Sequence, residues 1–212
     1  MTTPILHGPA YSTYVRTARL ALLEKGVNYT LDSFDIFEGI PTEQSARHPF
    51  NKVPALTHND FVLYETVAIC RYVDEAFEGP ALQPESAKDR ARMTQICALL
   101  DNYAFAPALG VIIWQRLVAP MTGDAPDEAL IATAVPKVEN AFSVLNAFIG
   151  ERDHLVGDQL SLADLHLIPN YFYFLLTPEG VALTQKSPNL KRWWENMRDR
   201  DSVKATDPEM PG

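Results

Sequence analysis

The chain has 212 residues, 47% of them hydrophobic, and 27 acidic against 18 basic side chains give a formal net charge of −9. That is enough apolar chain for one sizeable core or two modest ones. The acidic balance leaves no basic stripe to neutralise phosphates, which argues against nucleic acid and anionic membranes as partners and for a small soluble ligand.

The N-terminal MTTPILHGPAYST has no basic segment ahead of an apolar run, so it does not read as a secretory signal. Pro4 to His7 predicts a short strand ended by Gly8-Pro9. A helix follows from about Ser12, with Val15, Ala18 and Leu22 on one face and Lys25 and Gly26 as its stop. Val27 to Phe34 alternates well enough for a second strand, so a parallel pair joined by a right-handed crossover is expected. Pro41 to Arg47 predicts one or two helical turns.

Next come Lys52-Val53-Pro54-Ala55-Leu56 and the run His58 to Tyr64, in which Asn59-Asp60 is a turn between two short apolar segments. This predicts a β-hairpin. Val67, Ile69, Tyr72, Val73, Ala76 and Phe77 then recur at helical spacing, which places Glu65 and Thr66 at a helix start. A first helical turn offers free N–H groups and the positive end of the macrodipole, which suits a carboxylate. Proline at the hairpin entry deletes a ladder donor, leaving the main chain of Val53 able to pair with an extended ligand. Together these outline a peptide-shaped site.

Glu78 to Ser86 carries Gly79, Pro80 and Pro84 in a polar interval, after which strand signals stop. We place a first domain at 1–78, a linker at 79–87 and an all-helical domain at 88–212. Ala87 to about Ala119 reads as one long helix kinked at Pro107, which deletes a hydrogen bond inside it. Its apolar stretch from Ala104 to Trp114 is short of the roughly 18 residues of a membrane span. Asp127 to Ile149 predicts a second helix ending at Gly150. Leu160 to Leu165 is a third helix start, with Ser161 as N-cap and Asp164 three residues on as a capping box. A last helix is expected from Pro188 to about Arg200, with an irregular tail after Asp201. Cys70 and Cys97 lie in apolar helical patterns without metal or redox spacing, so buried thiols in a reducing cytoplasm are expected.

The runs HPFNKVPAL, YET and GDQLSLADL resemble those of the cytosolic glutathione transferases. The resemblance covers nearly the whole chain and implies a two-domain α/β plus all-α architecture, a thioredoxin-like N-terminal domain followed by an all-helical C-terminal domain. It implies a cis Val53-Pro54 bond whose backbone meets the cysteinyl part of glutathione, and a γ-glutamyl end held by Glu65 and Thr66. Ser12, then Arg16 and ALLEKGV, are similar to serine-type members of the phi and theta kind, in which the serine hydroxyl donates to the glutathione sulfur. Such a bond to a charged acceptor is worth roughly 1.5–3 kcal/mol, enough to lower a thiol pKa near about 8.5 by about 1–2.

A plain N-cap is the competing role for Ser12, and Tyr11 is the second choice as thiol donor. Arg16 is a candidate for the γ-glutamyl carboxylate or for support of the turn. Phi-like members carry basic residues on the short second helix for the glycyl carboxylate, whereas Ile36 to Gln44 has none, and Lys52 is chosen over Arg47 and His48 as the substitute. Tyr14, Tyr103, Pro107 and Trp114 are candidates for the electrophile wall, with core packing the alternative for each. The implied function is conjugation of bound glutathione, a co-substrate and not a cofactor, to a small electrophile, by a cytoplasmic homodimer without metal. The alternatives are a glutathione-dependent peroxidase or isomerase and a non-catalytic interaction module on the same fold.

Overall fold

The computed structural model describes residues 2–208, apart from the side chain of residue 109. Their contacts gather into two units, one of residues 2–83 with 199–208 and one of residues 84–198.

The first unit is built on a four-stranded sheet of order β2-β1-β3-β4, with β1 at Ile5–His7, β2 at Thr30–Asp32, β3 at Ala55–His58 and β4 at Phe61–Tyr64. β1 runs parallel to β2 and antiparallel to β3, and β3 pairs antiparallel with β4. Helix α1 (Thr13–Glu24) starts at the Ser12 cap and stops at Lys25 and Gly26, whose φ of 70° is the left-handed turn that glycine adopts without a Cβ penalty. It packs on α3 (Thr66–Ala76), and Leu6, Val15, Ala18, Leu22, Leu56, Ile69 and Val73 form the fully buried core between them and the sheet. Short α2 (Thr42–Arg47) lies against β3 and β4. The second strand is shorter than its alternation predicted, because only Thr30 to Asp32 find partners on β1. Lys25 is buried at the end of α1, where its ammonium donates to Asp74 and to the carbonyls of Gly79 and Pro80, so the chain after α3 is fastened to α1.

The tail departs from expectation. Asp201–Ala205 is not irregular but a short helix, α9, and it packs on α1. Arg16 explains why: fully buried, it donates from Nε to Thr206 Oγ1 at 3.2 Å and from a terminal nitrogen to the Val203 carbonyl at 3.2 Å. Arg200 and Ser202 add hydrogen bonds to Glu24. A buried guanidinium must have its donors satisfied, and a helical turn presents carbonyls and a hydroxyl to it.

The second unit is helical. The expected long helix begins as α4 (Ala87–Leu99), then widens into π-type turns at Leu100–Phe105 and Ala108–Val118 on either side of Pro107, before a tight turn at Ala119–Thr122. The two stretches flanking Pro107 bend by 54°, as loss of a backbone donor requires. Then follow α5 (Glu128–Ile149), α6 (Leu162–Leu175), α7 (Pro178–Gln185) and α8 (Pro188–Met197). α7 was not foreseen, since its pattern is weak, although Thr177 caps it and Pro178 opens it in the usual way. The Ser161–Asp164 capping box forms, and Asp164 does more than cap. Fully buried, it accepts from the N–H groups of Ser161 and Leu155 and from the Trp193 indole at 2.8 Å, which ties α6 to the preceding loop and to α8. Cys70 and Cys97 are both buried, and burial, with Asp101 and Asp164 nearby, pushes the Cys97 thiol up to about 12, so Cys97 is no nucleophile at neutral pH.

Candidate functional site

The site residues of the first unit lie where β1 hands over to α1, where the chain enters β3, and where α3 begins. Gly8 brings the first two together. Its φ is 136°, and a Cβ there would stand 2.7 Å from Val15 Cγ2 and 3.0 Å from the Val53 Cβ. Only a glycine allows the Ser12 turn and Val53 to approach this closely.

Ser12 is half-buried at the N-cap of α1, where its hydroxyl oxygen accepts from the Val15 N–H at 3.5 Å. A hydroxyl accepts through lone pairs and donates through its one hydrogen, so capping leaves that hydrogen to give to a thiolate. Cap and sulfur donor are therefore compatible roles. Tyr11 differs: its hydroxyl donates to Asp35 Oδ1 at 2.8 Å and accepts from the Ile36 N–H. Its proton is given to Asp35, which weighs against Tyr11 as the second choice.

The Val53–Pro54 peptide is cis. The β3 pairings begin at Ala55, so among the described residues Val53 stands outside the ladder. Pro54 is buried and Lys52 exposed, with the Lys52 carbonyl accepting from the buried Gln44 amide at 2.7 Å. Glu65 is the N-cap of α3 at φ 71°, an uncommon conformation for a residue with a side chain, and its carboxylate is exposed. Thr66 follows, buried, as the first residue of the helix.

Arg16 is corrected here. The sequence allowed it a carboxylate of the ligand, but its guanidinium is wholly inside the first unit and spent on Val203 and Thr206. Tyr103 and Pro107 line a groove of about 480 Å³ in the helical unit, with Ala106, Val111, Leu130 and Ala134 among its other walls. Trp114 does not line that groove, and Tyr14 stands on α1 of the first unit.

Sequence reasoning missed two supports of the site. His7, buried at the end of β1, hydrogen-bonds through Nδ1 to Asp32 at 2.8 Å and through Nε2 to Thr57 at 2.9 Å, joining three strands below the Ser12 turn. Burial lowers its pKa, helped by Arg47 and opposed by Asp32. His48, buried at the end of α2, lies 4.7 Å from the Tyr64 ring, and its Nδ1 accepts from the Phe50 N–H. Burial and Lys52 lower its pKa against the pull of Glu65. The signal was a histidine at an otherwise apolar strand end and another at a helix stop, each of which also reads as ordinary punctuation.

Comparison with known proteins agrees with this geometry. Residues 6–81 match the model of the glutathione S-transferase N-terminal domain, and residues 105–201 that of the C-terminal domain. The chain is 30% identical over 208 residues to "Glutathione S-transferase F13" of Arabidopsis thaliana, covering 96% of this chain and 94% of that one. It is 30% identical over 200 residues to "Glutathione S-transferase 1" of Zea mays, covering 93% and 92%. Among solved structures, glutathione transferase F7 from Populus trichocarpa superposes with a TM-score of 0.86 at 30% identity, covering 96% of this chain and 97% of that one. A glutathione S-transferase I bound to lactoylglutathione superposes with a TM-score of 0.86 at 27% identity, covering 97% and 98%. With its thioredoxin-like sheet, its cis Val53–Pro54 bond and both domain models matched in order, the chain belongs to the glutathione S-transferase family.

Proposed function

We propose that the chain adds the thiolate of bound glutathione to a small electrophile, with the Ser12 hydroxyl donating to the sulfur. The observation that carries this reading is the Ser12 hydroxyl at the α1 start, oxygen turned to Val15 N–H, on the turn that Gly8 packs against Val53. The α1 N-terminus favours the thiolate in the same direction. Val53 pairs with the cysteinyl backbone, Pro54 shapes that bend, and Glu65 with the first N–H groups of α3 holds the γ-glutamyl end, its ammonium on the carboxylate and its carboxylate on the helix terminus. Lys52, exposed beside Val53, meets the glycyl carboxylate. In conjugation the thiol proton leaves to solvent, the sulfur electron pair forms the new bond to carbon, and an aryl halide loses its halide.

The test is conjugation of glutathione to an aryl halide by wild type and Ser12→Ala. Loss of a hydrogen bond to a charged sulfur predicts a fall of about 10- to 100-fold in turnover at neutral pH, with the pH midpoint moved up. Unchanged turnover removes Ser12 from this role. The proposal includes the homodimer and the cytoplasmic setting that the family resemblance implies. The first is read by sedimentation against the chain mass of 23.7 kDa.

A further inference from the structure

Val53 stands outside the ladder among the described residues, so the bend that carries it is placed by side chains, and α2 supplies them. Gln44, buried, donates from Nε2 to the Lys52 carbonyl at 2.7 Å, and Ser45 donates from Oγ to Asn51 Oδ1 at 2.7 Å. His48, where α2 stops, accepts twice: Nδ1 from the Phe50 N–H at 3.4 Å and its carbonyl from the Asn51 N–H at 2.9 Å. His48 also faces the other half of the site. Its buried ring lies 4.7 Å from that of Tyr64, tilted by 38°, and Tyr64 ends β4 immediately before Glu65.

A peptide that pairs with Val53 and reaches Glu65 meets two separate pieces of chain. It binds well only where both already stand at the right separation. We propose that His48 is a positioning residue for glutathione, holding the Phe50–Val53 bend and the Tyr64–Glu65 start of α3 together as one cradle while its ring is neutral. This rests on the pose given in the conjugation reading above. Only the neutral ring has an Nδ1 lone pair for the Phe50 N–H, and burial lowers the pKa of His48, which keeps the ring neutral at ordinary pH. A proton on it would face the Tyr64 phenol, Lys52 on the bend and Glu65 at the α3 start, repelling Lys52 and competing with the ligand's ammonium for Glu65. Arg47, its neighbour on α2, is directed instead to Asp32 at 3.7 Å.

The experiment measures the Kd of S-hexylglutathione by calorimetry from pH 7.5 down to 5 for wild type, His48→Ala, His48→Asn and His48→Phe. The unfolding midpoint and kcat at saturating glutathione are read for each. The probe has no thiol, so the Ser12 chemistry does not enter its Kd. His48→Ala loses acceptor and ring together and is expected to raise Kd at pH 7.5 by about 5- to 30-fold, with kcat within about twofold of wild type. Asparagine keeps an acceptor for the amide two residues on, as in an Asx turn, and phenylalanine keeps a ring without the acceptor, so both lie between alanine and wild type. The wild-type Kd rises as pH falls, and that of His48→Asn, whose side chain does not titrate, rises less.

A wild-type Kd in His48→Ala, or a pH profile in His48→Asn equal to that of wild type, would overturn the positioning role whatever the unfolding midpoint does. Should the alanine variant fail to fold, the pH profile of His48→Asn decides alone. Failure of the wild type to bind the probe would bring down the whole glutathione pose and His48 with it. Binding without conjugation would remove only the chemistry assigned to Ser12 and leave the role of His48 to the Kd comparison.

Discussion

Gly8 and Val53 stand so close that the missing Cβ of the first would lie 3.0 Å from the Cβ of the second. This contact, between a turn and a bend more than forty residues apart in sequence, sets the distance from Ser12 to the Val53 backbone proposed to pair with the ligand. Gly8→Ala would have to relieve that approach, the closer one to Val15 at 2.7 Å and a φ of 136° together. A residue held in such a conformation costs about 1–3 kcal/mol. Gly8→Ala is expected to lower the unfolding midpoint and to raise KM for glutathione, whereas Gly110, with nothing near its missing Cβ and no positive φ, tolerates alanine without a change in KM. Equal behaviour of the two variants in conjugation kinetics would refute the coupling.

The buried Arg16 makes a prediction about the end of the chain. Thr206→Val removes one acceptor of its guanidinium and is expected to cost about 1 kcal/mol in chemical denaturation. Arg16→Ala leaves the carbonyl of Val203 without its donor and a cavity beside α1, and costs about 3 kcal/mol or more. In both, KM for glutathione in the folded protein stays within about twofold of wild type, because Arg16 acts through packing and not on the ligand. A large KM effect with little loss of stability would return Arg16 to the site.

Asp164 is expected to be the most sensitive polar position of the helical unit. Asp164→Ala orphans the Leu155 N–H, the Ser161 N–H and the Trp193 indole at once. Each orphaned buried donor costs about 1–3 kcal/mol. Poor soluble yield or a sharply lowered midpoint is the expected outcome. Asp164→Asn should lie between alanine and wild type, since one oxygen remains to accept. A melting curve close to wild type for the alanine variant would contradict the assignment.

The two buried histidines near the site predict an acid limit. His7 and His48 both have pKa values held below the ordinary 6.5 in the folded chain, chiefly by burial. Above 6.5 both are neutral whether the chain is folded or not, so their stabilising arrangement is fully present. As pH falls from 6.5 toward the lower folded values, the unfolded chain takes up protons that the folded chain resists, and stability declines. Protonated His48 also loses the lone pair that accepts the Phe50 N–H. Unfolding midpoints measured from pH 7.5 down to 5 should therefore fall, and a double His7→Asn/His48→Asn variant should show a flatter decline. An identical slope in the variant would assign the acid limit to carboxylates instead.

Much of the fold was legible because its signals are local. Ser12 and Gly26 bound α1, Asn59-Asp60 turns the hairpin, Pro107 breaks the long helix, and Ser161 with Asp164 opens α6. Each depends on neighbours within a few residues, so the string of letters contains the whole cause. Membership of the family was readable for the same reason, from three short runs of contiguous residues.

What residues do to partners distant in sequence was another matter. Arg16 could be read as a ligand anchor until α9 was seen to fold against it. Tyr11 could be read as a thiol donor until Asp35, 24 positions on, was seen to take its proton. A side chain's residue type and local helix phase set what it can donate or accept, and the sequence by itself determined that much. Which of those capacities is spent, and on whom, depends on groups brought within about 3 Å by the tertiary structure, since hydrogen bonds fade within a few tenths of an ångström of that distance.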